Sequence, residues 1–374
     1  VLILRTHPYN RVSWGALLGA LPDELLGEIR VLLWASDQKP PGALAHSKVL
    51  LAYSFMFPHI PKVREEVAEL RQNYPLGNPS MTVIAGGAQA TNDPESVSGL
   101  GFDAVVVGEA EEAFARLIEE WLSGKTLSPR STVPPGTVDF NRFPGFHPLL
   151  EYLPPVEISR GCRFACHFCC VPRMNQGSIR YRRVDRIVAI VERYFQIKPG
   201  RKRVKFLASN AFGYGSDGRT PNLASLHELL LRLKEFGVPE ICLGSFPAEV
   251  RPDFVTEEVL ELVKPFISNR TIVMGIQSGD DAVLRSINRG HTAEQACTAV
   301  KLLRRYGYTP HVDFIIGFPG ETFEQQDALL TFMEDLAHQH GVRIHMHTFM
   351  PLPGTPLSSH RAAVVSEKSR QRLK

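Results

Sequence analysis

The 374-residue chain is 44% hydrophobic and 22% charged, the balance of a soluble globular protein with room for two domains and no need of disulfide staples. Its net charge of +3 is too small to argue for a nucleic-acid partner, and no apolar run approaches the roughly 18 residues that span a bilayer. The opening VLILR turns polar too soon for a signal-peptide core, so the expected compartment is the cytoplasm, where clustered thiols stay reduced.

Residues 1–125 alternate short apolar runs with amphipathic stretches. VLIL (1–4), RVLLWA (30–35), KVLLAYSF (48–55), MTVIAGG (81–87) and DAVVVGE (103–109) lack polar alternation and read as parallel strands covered on both faces. Helices are expected between them, for example over 61–73 and 109–122, the latter with Ala110, Phe114, Leu117 and Trp121 at helical spacing. This βαβ repetition predicts an α/β domain with a doubly wound, Rossmann-like sheet. Residues 126–155 are rich in Pro, Gly, Ser and Thr and read as a linker.

The βα rhythm resumes over 156–357, followed by a tail at 358–374. Six strand candidates start at VEIS (156–159), RVKFLAS (203–209), EICLGSF (240–246), TIVMGIQS (271–278), HVDFIIGF (311–318) and RIHMHTF (343–349). Helices are expected over 184–196, 223–236, 256–266, 293–306 and 324–340. Six βα units predict a partial (βα)6 TIM barrel rather than the full eight.

Four of the six cysteines lie in EISRGCRFACHFCC (157–170), directly after the first strand of the second domain. Cys162, Cys166 and Cys169 form C-x3-C-x2-C. Thiolates at this spacing can hold three irons of a cubane and leave the fourth open; a zinc site would recruit His167 or Cys170 as a fourth ligand. Active sites of barrels sit at the C-terminal ends of strands, which is where this loop begins. Cys170 reads as a packed thiol, and Cys242 and Cys297 as core. His345 and His347 share one strand face; that spacing suits a metal, but polar lining of a barrel mouth is the simpler reading. The basic run GRKRVK (200–205) reads as a solvated turn.

C-x3-C-x-Φ-C after a first barrel strand, with Phe168 as the aromatic, resembles the radical S-adenosylmethionine (SAM) superfamily. MGIQSGDDAVLRSINRGHT (274–292), DFIIGFPGET (313–322) and HTFMPLPGTPL (347–357) resemble its cobalamin (B12)-binding and methylthiotransferase-like branch. VIAGGAQATNDPE (83–95) and VVVGEAEEAF (105–114) resemble the cobalamin-binding domain fused before such barrels, and FLASNAFGYGSDG (206–218) resembles a smaller B12-domain/radical SAM subgroup.

The resemblance implies that Cys162, Cys166 and Cys169 hold a 4Fe-4S cluster and that S-adenosyl-L-methionine chelates its open iron. SAM contacts are expected from Phe168, Glu249, Arg251, Gln277, Ser278 and Gly317, with the turn 317–321 approaching adenine. Cobalamin is expected on the C-terminal edge of the first sheet, against Ser54, Phe55, Gly86, Gly87 and Gly108. Many cobalamin domains carry D-x-H-x-x-G after the first strand; RTHPYNRVSWG (5–15) has His7 without that spacing. Either the corrin binds without a histidine below cobalt, or the domain no longer binds it. The implied activity is cobalamin-dependent methyl transfer to an unactivated carbon of a small-molecule or peptide substrate, fed by an electron donor such as flavodoxin or ferredoxin. The alternatives are other radical SAM chemistry without cobalamin (cyclisation, rearrangement or another C–H functionalisation), a methylthiotransferase, which would want cysteines that residues 1–161 lack, and a zinc-stabilised binding protein.

Overall fold

The computed structural model describes residues 1–39, 41–42 and 48–372. The chain divides into two compact units, Val1–Pro154 and Pro155–Lys374.

The first unit is built on six parallel strands: β1 (Leu2–Thr6), β2 (Val31–Ala35), β3 (Val49–Ser54), β4 (Met81–Gly86), β5 (Ala104–Val107) and β6 (Arg130–Thr132), in the order β2-β1-β3-β4-β5-β6. Alternate residues of one strand feed opposite cores. Leu2 and Leu4 join Trp14, Leu50, Ile84, Phe114 and Trp121 on one face, while Ile3 joins Leu51, Tyr53, Val63, Val67 and Val83 on the other. This two-sided burial is why the strands carry no polar alternation. Helices Arg11–Leu18, Ile60–Asn73 and Glu111–Leu122 supply the covering faces.

The stretch 126–155 is not a free linker. It contributes β6, which pairs with β5 from Val105↔Arg130 to Val107↔Thr132, and it buries Val138, Phe140, Phe146 and Leu150. Its Pro and Gly content reflects tight turns laid on the first unit. One approach is so close that a side chain at Gly19 would meet the Phe146 carbonyl oxygen at 2.3 Å.

The second unit holds β7 (Val156–Glu157), β8 (Ser159–Gly161), β9 (Ile179–Tyr181), β10 (Arg203–Leu207), β11 (Glu240–Cys242), β12 (Thr271–Gln277), β13 (Thr309–Ile316) and β14 (Arg343–Thr348). Parallel sheets β11-β10-β7 and β12-β13-β14 are joined by the bridges Ile241↔Ile267 and Val250↔Met274, which makes a six-stranded open barrel. Helices Val184–Ile197, Leu223–Glu235, Glu257–Val263, Ala293–Arg305 and Phe323–His340 alternate with its strands. Their starts are chemically marked: Asn222 and Thr256 cap with side-chain oxygens, and Thr292/Gln295 and Thr322/Gln325 form capping boxes.

Two strand expectations shorten for physical reasons. The run 156–159 splits because Ile158 N–H donates to Leu207 O while Ser159 to Gly161 turn away to pair antiparallel with β9. The run 240–246 stops at Cys242, and Gly244 follows in a positive-φ turn (+74°). The expected tail includes the helix Glu367–Arg372, in which Ser369 is fully buried; residues 373–374 lie outside the described residues. No described helix is long and apolar enough to cross a membrane.

Candidate functional site

The cysteine loop leaves β8 at Gly161. This residue has φ +90°, and a Cβ there would meet the Ser178 carbonyl oxygen at 2.2 Å, so glycine is required for the hairpin to close. Ser209 Oγ donates to Gly161 O at 2.7 Å. The loop is then pinned by the turn after helix Asp281–Ser286. Asn288 Nδ2 donates to Ala165 O at 3.0 Å, and His167 N–H donates to Ile287 O at 2.9 Å. His167 also holds Nδ1 2.9 Å from Ser286 O, which ties up one of the nitrogens it could offer a metal.

All six cysteines are free thiols. Burial raises the pKa of Cys162 and pushes Cys169 up to about 12, so metal loading must release protons.

Positive charge converges on the loop. Arg289 Nη1 lies 3.7 Å from Cys166 Sγ, and Arg289 also donates to Gly275 O. Arg251 stacks its guanidinium 3.4 Å from the Phe164 ring centroid, donates to Arg289 O at 2.9 Å and pairs with Asp253 at 3.0 Å. Arg251 Nη1 and Arg289 Nε are buried with no hydrogen-bond partner among the described residues. Two unspent guanidinium donors beside three thiols fit a polyanionic iron–sulfur cluster, because an unpaired buried N–H otherwise costs about 1–3 kcal/mol. Arg289 had no role in the sequence reading; its partner lies 123 residues away, and no local pattern reports such a contact.

The expected SAM contacts divide. Glu249 is close to Gly275: a Cβ on Gly275 would lie 3.6 Å from Glu249 Oε2 and 2.5 Å from Gln277 Nε2. Burial, then the Asp313 carboxylate, pushes the Glu249 carboxyl up to about 6. Gln277 ends β12 at φ +78°, a strained conformation for a residue with a side chain, next to the bulge between Gly275 and Gln277. Phe168 packs its ring 5.7 Å from that of Phe318. The other two expected residues, Ser278 and Gly317, are held by bonds within the chain. Ser278 is fully buried, and its Oγ accepts from Asp280 N–H at 3.2 Å, so it caps a turn. Gly317 N–H donates to Glu321 Oε2, and Gly317 O accepts from Ala363 N–H at 2.9 Å, so the turn is tied to both.

In the first unit, the strand order places a topological switch between β1 and β3, where open α/β sheets bind ligands outside the carboxyl ends. A cavity of about 320 Å³ lies there, lined in part by His7, Tyr9, Ser54, Phe55 and His59. The His7 ring stacks on Tyr9 at 4.7 Å and lies 4.8 Å from His59. Ser54 is buried at this edge and lines the cavity, and Gly86 ends β4 beside it. Phe55 turns its ring into the core against Phe102. Gly87 and Gly108 are glycines because the chain itself comes close: a Cβ would meet Ser54 Oγ at 2.7 Å and Val133 O at 2.2 Å.

A family model described as the Radical SAM superfamily matches residues 156–333. The ribosomal protein uS12 methylthiotransferase RimO of Thermosipho africanus is 34% identical over 184 residues, covering 48% of this chain and 40% of that protein. The first curated relatives are longer than the chain, which spans 61%, 40% and 48% of their lengths. Among solved structures, the radical SAM methyltransferase TsrM from Kitasatospora setae, with cobalamin and an iron–sulfur cluster bound, matches at TM-score 0.69 and 18% identity, covering 95% of this chain and 73% of that one. The cobalamin-dependent SAM radical enzyme OxsB matches at TM-score 0.69 and 16% identity, covering 96% and 59%. At these identities the structural likeness is one of fold.

Proposed function

From the match of residues 156–333 to the Radical SAM superfamily model, we propose that the chain is a cobalamin-dependent radical SAM methyltransferase acting on an unactivated carbon. The observation that carries the reading is the three-thiol loop at the carboxyl end of the first barrel strands, faced by the unpartnered donors of Arg251 and Arg289. When bound, the 4Fe-4S cluster supplies the electron that cleaves SAM to methionine and a 5′-deoxyadenosyl radical, and cobalamin carries the methyl group.

Cys162, Cys166 and Cys169 hold the cluster. Arg289 and Arg251 balance its negative charge from the buried side. Glu249, within reach of Gly275 in the barrel lumen, accepts from the amino group or ribose hydroxyls of SAM, and Gln277 lies beside it. Phe168 gives the cofactor an apolar wall. On the first unit, Ser54 and Gly86 flank the edge for the corrin, with His7, Tyr9 and His59 at the neighbouring cavity. The substrate is a small molecule or peptide, and a flavodoxin- or ferredoxin-type protein delivers the electron. A second reading, radical SAM chemistry without cobalamin, is favoured by the filled approaches at Gly87 and Gly108.

Anaerobic reconstitution with iron, sulfide and hydroxocobalamin tests both. Content near four irons, about four sulfides and about one corrin per chain supports methyl transfer. The same iron and sulfide without corrin, at tens of micromolar cobalamin, selects the second reading.

A further inference from the structure

Outside the cysteine loop, β13 and β14 bring a second set of metal donors together. Asp313 and His345 are register partners across the parallel pair. His347 stands two residues on, and therefore on the same face. His345 Nδ1 lies 3.1 Å from Asp313 Oδ1, and the His345 and His347 ring centroids are 4.2 Å apart. Each of the three offers a ligand atom such that all lie within 4.8 Å of one another.

We propose that Asp313, His345 and His347 form a second metal centre, separate from the cysteine loop, that binds one divalent transition-metal ion. Two imidazoles and one carboxylate are a borderline donor set suited to Zn²⁺, Fe²⁺ or Co²⁺ and poorly suited to Mg²⁺ or Ca²⁺. Three protein ligands leave coordination positions open, as in catalytic rather than structural sites. The Asp313 side chain is 10% exposed, while that of His345 is 58% exposed, so the carboxylate is sheltered and the imidazole is reached from solvent.

The open positions face a functional space. Asp313 sits opposite Gly275 on β12, and Gly275 is the residue that Arg289 and Glu249 surround. Arg289 reaches Cys166 from there. An ion held by the triad therefore lies on the lumen face that the cysteine loop also serves. It would take an oxygen or nitrogen donor of the substrate and fix its position, a role independent of whether cobalamin binds.

The test uses the full chain with its cluster already reconstituted, so that the cysteines are occupied, and Co²⁺ as the probe after free metal is removed. One cobalt per chain should bind beyond the iron, with ligand-field bands in the visible and no new thiolate charge-transfer band. His345→Ala/His347→Ala and, separately, Asp313→Asn should weaken that binding at least about tenfold while iron and sulfide stay at the wild-type level. His360→Ala, at an exposed histidine elsewhere, should bind cobalt as wild type does. Wild-type protein without the extra cobalt, or triad variants that bind it unchanged, would overturn the proposal.

Discussion

Arg289 combines a 3.7 Å contact to Cys166 Sγ with an Nε that has no partner among the described residues. A buried cation this close stabilises the more negative, reduced form of a bound cluster. Arg289→Gln should therefore shift the midpoint potential downward, on the order of tens of millivolts, in a redox titration, and Arg289→Lys should restore part of the shift. Thiol substitutions give a cleaner separation. Cys162→Ala, Cys166→Ala and Cys169→Ala should each lose the iron and the SAM cleavage, whereas Cys170→Ala, Cys242→Ala and Cys297→Ala should keep iron content near wild type. His291 makes a different prediction. Burial, then Arg289 and Arg251, lower its pKa from the ordinary value to about 3. The folded protein keeps this imidazole neutral where the unfolded chain protonates it, so its contribution is intact above about pH 6.5 and fades as pH falls toward 3. The slope is about 1.4 kcal/mol per pH unit. Denaturant unfolding of His291→Gln between pH 7 and pH 5 should show a flatter fall in stability than wild type; an unchanged slope would contradict the assignment.

Elements with strong periodicity were legible in the chain. The helices Val184–Ile197, Ala293–Arg305 and Phe323–His340 begin and end within about a turn of the expected ranges 184–196, 293–306 and 324–340. What composition obscured was the stretch before β7. Pro and Gly there signal turns, but turns laid against a core bury Phe140, Phe146 and Leu150 as a helix would. Split strands were equally hidden, because a two-residue strand such as β7 has no period to read. The hairpin β8–β9 shows what one residue contributes to an element. Gly161→Ala forces a side chain into φ +90° and onto the Ser178 carbonyl. The expected cost is about 1–3 kcal/mol from the backbone, with a further steric penalty. Iron occupancy after reconstitution should fall even though every cysteine remains.

Each unit of the molecule carries its own core. Residues 155–374, expressed alone, should fold cooperatively and take up iron through Cys162, Cys166 and Cys169; an unfolded or iron-free fragment would show that the cysteine loop needs the first unit. The site was legible to the extent that it is local. C-x3-C-x2-C singles out the candidate thiols, but Arg289 enters from 123 residues away and Asp313 meets His345 only through strand register. The arm at 363–372 has a consequence of its own. It closes Ala363 onto Gly317 and lies along helix Phe323–His340, held by Lys368 to Asp327, by Arg372 to Glu334, and by Gln326 to the Val364 carbonyl. Two of these four ties are solvent-facing ion pairs, which salt screens over about 8–10 Å. Rising ionic strength therefore loosens the arm before it disturbs the barrel, so tryptic cleavage after Lys368, Arg370 and Arg372 should rise with salt.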